Sequence, residues 1–177
     1  MKKTLTIITL LITINTFAQK KLPFEPIVAK TLDGKEIRIP EDIKGKESML
    51  FLAFSDKSKE SLITWAEPVW NTFMVKNPLN VDAYDCNIYL VVMLFGFTNI
   101  VQGEIEKQLR KNFNKDWHPY ILLHSGTLKP YTDDPDFKKR HQAHVFVFDK
   151  EGNHTYHSVG PYSAPELHKI EAAIAGE

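Results

Sequence analysis

The sequence predicts an α/β domain with a mixed central sheet flanked by helices. Three observations carry that expectation. Residues 49–54 (MLFLAF) and 88–95 (IYLVVMLF) are uninterrupted apolar runs, as expected of strands buried on both faces of a sheet. Between them, from Lys57 to about Val75, Leu62, Trp65, Val69, Trp70 and Phe73 recur at helical spacing. Farther on, residues 144–148 and 154–158 flank Asp149-Lys150-Glu151-Gly152-Asn153, a strong hairpin signal. Strands that alternate with helices and close with a hairpin and a helix fit a sheet with helices packed on it.

The remaining elements follow in chain order. Residues 1–19 read as a secretory signal peptide. Lys2 and Lys3 give a charged start, Leu5 to Ile14 is an apolar core of about ten residues, and Thr16-Phe17-Ala18 precedes a cut after Ala18 or Gln19. That core is shorter than the ~20 residues a spanning helix needs. Stable membrane insertion is therefore not expected, and retention of the segment as an anchor is the alternative. The domain is then residues 20–177, and its expected place is the periplasm or the exterior.

Thr31-Leu32-Asp33-Gly34-Lys35 reads as a hairpin turn, with Ile37 and Ile39 alternating beyond it. Pro68 lies inside the first helix, removes one internal hydrogen bond and is expected to bend it. Gly96 ends the second apolar run, and Asn99 is expected to cap the next helix. There Val101, Ile105, Leu109 and Phe113 form one stripe. Residues 120–124 are a short strand candidate and 125–142 a polar loop. Ser163-Ala164-Pro165-Glu166 reads as a capping box that opens a last helix along Leu167, Ile170 and Ile174.

Composition excludes several classes. With 22 basic and 22 acidic side chains the chain has no formal net charge. Nothing in it forms the electrostatic footprint of a nucleic-acid binder. Cys86 is the one cysteine, so no intramolecular bridge can form even in an oxidising compartment, and stability must come from packing. Its position before an apolar run favours a buried, inert thiol. No cofactor is implied.

The element order, and the passage from residues 49–54 through a polar turn into a helix holding Pro68, resemble the first βα unit of thioredoxin-like proteins. In that family a CxxC opens the helix. Here residues 55–63 hold Asp56, Ser58, Glu60 and Ser61 and no cysteine, so the attacking thiolate of disulfide exchange is absent. Val145-Phe146-Val147-Phe148-Asp149-Lys150-Glu151-Gly152 is similar to the strand and turn that secreted thiol-disulfide reductases carry late in the chain. Those proteins place a cis-proline shortly before, and the matching position here is Ala143. Within the superfamily, Trp65-Ala66-Glu67-Pro68 and Gln108-Leu109-Arg110-Lys111-Asn112-Phe113 resemble the Atp10-type assembly factors of the mitochondrial ATP synthase, which also lack CxxC. The resemblance implies a redox-inactive binding or assembly factor with a protein partner in the cell envelope. It places the partner-binding residues at Asp56, Ser58, Glu60, Ser61, Ala143 and His144.

Each of these residues also has a plain reading. Ser55 or Asp56 serves as a helix cap, and Glu60 favours the helix dipole. The histidines offer the alternative of an enzyme or metal carrier. His141, His144 and His157 can meet at one end of the sheet, and imidazole suits zinc or copper. No cysteine lies near in sequence to complete such a site, so Asp133, Asp134 or Asp136 would have to serve. The Cys86 thiol is the other candidate for chemistry. No metal site and no catalytic residue are expected from these patterns.

Overall fold

Uninterrupted apolarity in 49–54 has a positional cause. Every residue of β3 (Ser48–Ala53) is buried. The strand runs parallel to β4 (Asn87–Met93) on one side and antiparallel to β6 (His144–Phe148) on the other, with Ser48 opposite both Asn87 and Phe148. These are the predicted pairings. The computed structural model describes residues 24–75, 84–94, 96–126 and 139–176. Residues 1–19, read from the sequence as a signal peptide, Phe95, and Asp133, Asp134 and Asp136 lie outside the described residues.

The described strands form one seven-stranded sheet of order β2-β1-β5-β4-β3-β6-β7. Here β1 is Ile27–Thr31, β2 Glu36–Ile39, β5 Ile121–His124 and β7 His154–Val159. Alternation along β3 sends Met49 and Phe51 to one face and Leu50 and Leu52 to the other. The first pair meets Leu62, Trp65 and Val69 of helix α1 (Asp56–Val69) and Leu167, Ile170 and Ile174 of the last helix, α3 (Ala164–Ala175). The second pair packs with Phe54, Val91, Met93, Phe146, Phe148, Ile37, Ile39 and Ile43. Full burial of one such side chain contributes ~1.5–3 kcal/mol. The two faces therefore account for both continuous apolar runs.

The helices differ from expectation in detail. α1 stops at Val69, and Trp70–Met74 continues as a π-turn closed by Val75 N–H donating to the Trp70 carbonyl at 3.0 Å. The turn keeps Phe73 inside. Helix α2 (Asn99–Asn112) is capped by Thr98 rather than Asn99. Thr98 keeps an extended backbone, and its hydroxyl accepts the Val101 N–H at 3.5 Å. Of the predicted stripe, Leu109 and Phe113 reach the core as half-buried contacts, but no residue of α2 is fully buried. Arg110 instead tethers the helix, donating to the Leu32 carbonyl while paired with Glu106 at 2.8 Å. Ser163 does start α3, but without a side-chain bond. Its expected box partner Glu166 turns away to accept from the Tyr156 hydroxyl and to pair with Lys169 at 3.1 Å. The 120–124 candidate begins at Ile121, because Lys115–Tyr120 winds as a 3-10 turn. The late hairpin is tied as predicted. The Asp149 carboxylate accepts from the Asn153 backbone N–H at 2.7 Å and its side-chain amide at 3.0 Å, with Gly152 in the left-handed region at φ 82°. Among the described residues no helix is long and apolar enough to cross a membrane.

Candidate functional site

Parallel alignment of β3 and β4 brings their carboxyl ends to one corner, where α1 and α2 both begin. Open α/β sheets bind ligands at such strand ends. The corner is closed by side chains. Ser55 is the N-cap of α1 and Ser58 its third residue, and the two form a reciprocal capping box. Ser58 Oγ accepts the Phe54 and Ser55 N–H groups, each at 2.7 Å, and donates to the Ser55 carbonyl at 2.9 Å. Ser55 Oγ accepts the Ser58 N–H at 3.2 Å and donates to the Arg140 carbonyl at 2.9 Å.

Sequence reasoning grouped six residues as a partner surface, and the structure divides them. Asp56 and Glu60 are exposed, with Asp56 paired to Lys59 at 2.6 Å. Ser61 is half-buried, and its Oγ accepts the Ala143 N–H at 3.1 Å. Ser58, Ala143 and His144 are each 0 % exposed. The Ala143 carbonyl is also occupied, accepting Gly160 N–H at 2.9 Å. The last three therefore hold the corner together and offer no surface to a partner.

Beside this corner lies a notch lined by Phe54, Lys59, Met93, Leu94, Phe97 and Ile105. Its enclosed volume, about 20 Å³, has room for about one water molecule and falls far short of a small-molecule pocket. Three apolar residues in and just before the first turn of α2 are more informative. Phe97, Ile100 and Val101 are exposed by 46 %, 81 % and 41 %. Sequence reasoning missed this patch. The available signal was Ile100, which stands off the Val101-Ile105-Leu109-Phe113 stripe and so off the face that the spacing turns to the core.

The histidines assemble in part. His144 Nδ1 and His157 Nε2 are 3.2 Å apart, with the rings stacked at 5.3 Å. His141 is exposed on the turn before β6. Among the described residues no group of three His, Cys, Asp or Glu side chains is placed to hold a metal ion. Burial pushes the His144 imidazole down to about 4.

Cys86 precedes β4 at the end next to Ser48, so it lies a strand length, ~20 Å, from Ser55. Burial, with the Asp85 and Glu47 carboxylates adding to it, pushes the thiol up to about 12. Alkylation of Cys86 by iodoacetamide in the folded protein is expected to run roughly a hundredfold slower than that of an unhindered cysteine, after allowing for the greater nucleophilicity of a more basic thiolate. A rate equal to that of the urea-unfolded chain would contradict this.

No family profile matches the chain, and no curated protein matches it in sequence. Solved structures do match. The exposed lipoprotein thioredoxin Etrx1 of Streptococcus pneumoniae strain TIGR4 superposes with a TM-score of 0.55 at 13 % identity, covering 84 % of this chain and 99 % of that one. Yeast Sco1, which has also been solved with copper bound, gives 0.54 at 15 % identity over 90 % and 98 % of the two chains. BsSco, a member of the Sco family of cytochrome c oxidase assembly proteins, gives 0.51 at 15 % identity over 86 % and 91 %.

Among the described residues the donors do not assemble a copper site. Soft thiolate ligands favour Cu(I), and the one thiol is protonated, half-buried and at the far end of β4. His144 and His157 bond to one another. The finer likeness to Atp10-type factors is carried by the sequence motifs alone. Sheet order, helix placement and these superpositions together give this chain the thioredoxin-like fold.

Proposed function

We propose that this is a redox-inactive thioredoxin-fold protein that works outside the cytoplasm, in the periplasm or secreted, as a binding or assembly factor for a protein partner in the cell envelope. The observation that carries this reading is the opening turn of α1. Where thioredoxin-like enzymes resemble this chain they set a dithiol there, and here two serines saturate each other and the surrounding backbone. A corner closed in this way has no nucleophile and no spare backbone group on Ala143. The neighbouring patch of Phe97, Ile100 and Val101 supplies what a protein partner recognises, since clustered exposed apolar side chains mark interaction surfaces. The Sco proteins, which share the fold, include factors named for assembling cytochrome c oxidase, and the assembly role proposed here is of that general kind. The signal-like segment at residues 1–19 supports the location.

Two assays test the reading. In insulin reduction the 20–177 protein is expected to give the rate of dithiothreitol alone, and Cys86→Ser to change nothing. A rate above background that Cys86→Ser abolishes would overturn the non-redox assignment. In affinity capture from envelope extract, a specific partner is expected with the wild-type protein and lost, by roughly tenfold or more, in Phe97→Asp/Ile100→Asp. Equal capture by both proteins would remove the patch from the reading.

A further inference from the structure

A second cavity opens over β2, β1 and β5 and shares no lining residue with the notch beside α1. It holds about 340 Å³, within the size range of small-molecule pockets. Val28, Lys30, Glu36 and Leu123 line it, and the Gly34 turn borders it.

Strand pairing assembles these side chains. Lys30 stands directly opposite Glu36 of β2 and also opposite Leu123 of β5, so the three share one face in a row across the strands. Alternation along β1 adds Val28 to that face, opposite Arg38. β1 is an interior strand, between β2 and β5, yet Val28 is 52 % exposed. A sheet face that meets water is ordinarily polar. An open valine beside the half-buried Leu123 departs from that pattern.

The charges on this face are unequally matched. Lys30 and Arg38 are cations, and Glu36 is the carboxylate both could reach. Arg38 takes it, donating to Glu36 Oε1 at 2.8 Å. The neighbouring Asp42 carboxylate is engaged too, accepting the Arg38 backbone N–H at 2.8 Å. Lys30 is left with neither a hydrogen bond nor an ion pair among the described residues. Its stem lies against the hairpin turn, where a methyl built on Gly34 would stand 3.6 Å from Lys30 Cε.

We propose that this cavity binds a small organic anion, with Lys30 on its carboxylate and Val28 and Leu123 against its apolar body. The ammonium supplies three donors and a charge, and charge-assisted bonds to carboxylates are the strong kind. Neither half of such a ligand suffices alone. A bare anion gains only an exposed ion pair, which is weak in water. A neutral apolar molecule leaves Lys30 unused, and an organic cation is repelled by Lys30 and Arg38. The site is independent of the Phe97, Ile100 and Val101 patch and of the partner assigned to it.

Titration of the 20–177 protein with sodium octanoate, followed through amide chemical shifts, tests this. Saturable shifts are expected at Val28, Lys30, Glu36 and Leu123. Acetate and octan-1-ol, each carrying half of the required chemistry, are expected to bind at least tenfold more weakly. Lys30→Gln is expected to weaken octanoate binding about tenfold or more, and Lys30→Arg to retain it. Lys30 is exposed, so both variants are expected to fold. In Phe97→Asp/Ile100→Asp the octanoate shifts are expected to persist. Shifts that are absent, do not saturate or disappear in that double variant overturn the proposal, and so does equal octanoate binding by Lys30→Gln and wild type.

Discussion

Replacing Trp65 by alanine is expected to cost about 3–5 kcal/mol of stability, the largest loss available from one side chain in this fold. Trp65 is 1 % exposed and faces the centre of the sheet from α1, with Phe51 at 5.3 Å on one side and Tyr162 edge-on at 5.5 Å on the other. Its ring also donates a hydrogen bond, Nε1–H to the Gly160 carbonyl at 3.0 Å. One residue thus joins α1, β3 and the exit from β7. Alanine would leave a cavity the size of the indole, and the Gly160 carbonyl would lose its donor, a further ~1–3 kcal/mol if water cannot reach it. Against a total stability of ~5–15 kcal/mol for a domain of this kind, the variant sits near the edge of folding. Trp65→Phe separates the two contributions, because it refills most of the space and still lacks the N–H. The expected order of urea midpoints is wild type, then Trp65→Phe, then Trp65→Ala. A Trp65→Ala midpoint indistinguishable from wild type would remove Trp65 from the centre of the core.

Trp65 was legible as a core residue because its spacing from Leu62 and Val69 placed it on one helix face. The same kind of local pattern made β3, β4 and both hairpins readable. What failed to show locally was anything set by distant chain. β5 is wedged between β1 and β4, pairing Lys30 with Leu123 and Leu90 with Ile121, and no spacing along the chain encodes such a register. The family resemblance put Ser58 and Ala143 among the partner-binding residues. They are buried because the 140–143 segment closes over the mouth of α1, a contact between residues 85 positions apart in the case of Ser55 and Arg140. The reverse error touched α2, where the apolar stripe was correctly spaced but its first turn stays exposed among the described residues. Glu166 likewise fits a capping box in sequence, and a tyrosine on a neighbouring strand outcompetes the local bond.

The serines at the mouth of α1 lead to the second large effect. Ser55 and Ser58 have the spacing of a CxxC, occupy the N-cap and third position of the helix, and set their Oγ atoms 3.2 Å apart. The longer carbon–sulfur bonds of two cysteines would bring the sulfurs closer, toward the ~2.05 Å of a disulfide. Helix N-termini lower thiol pKa values, and a fall from ~8.5 to ~7 raises the thiolate fraction at neutral pH roughly fifteenfold. In Ser55→Cys/Ser58→Cys the thiolate at 55 would attack a substrate disulfide, the thiol at 58 would resolve the mixed disulfide, and dithiothreitol would reduce the resulting pair. The double variant is expected to reduce insulin at least several-fold faster than background, while either single variant and the wild type do not. The sequence resemblance matches Ala143 to the proline of the reductases, so the gain is expected to rise further when Ala143→Pro is added, although that change removes the Ala143–Ser61 bond. A double variant that folds, forms its intramolecular disulfide and still shows no activity would mean that the corner has lost more than its sulfur. The closed contacts of residues 140–143 would then be the feature that keeps substrates out.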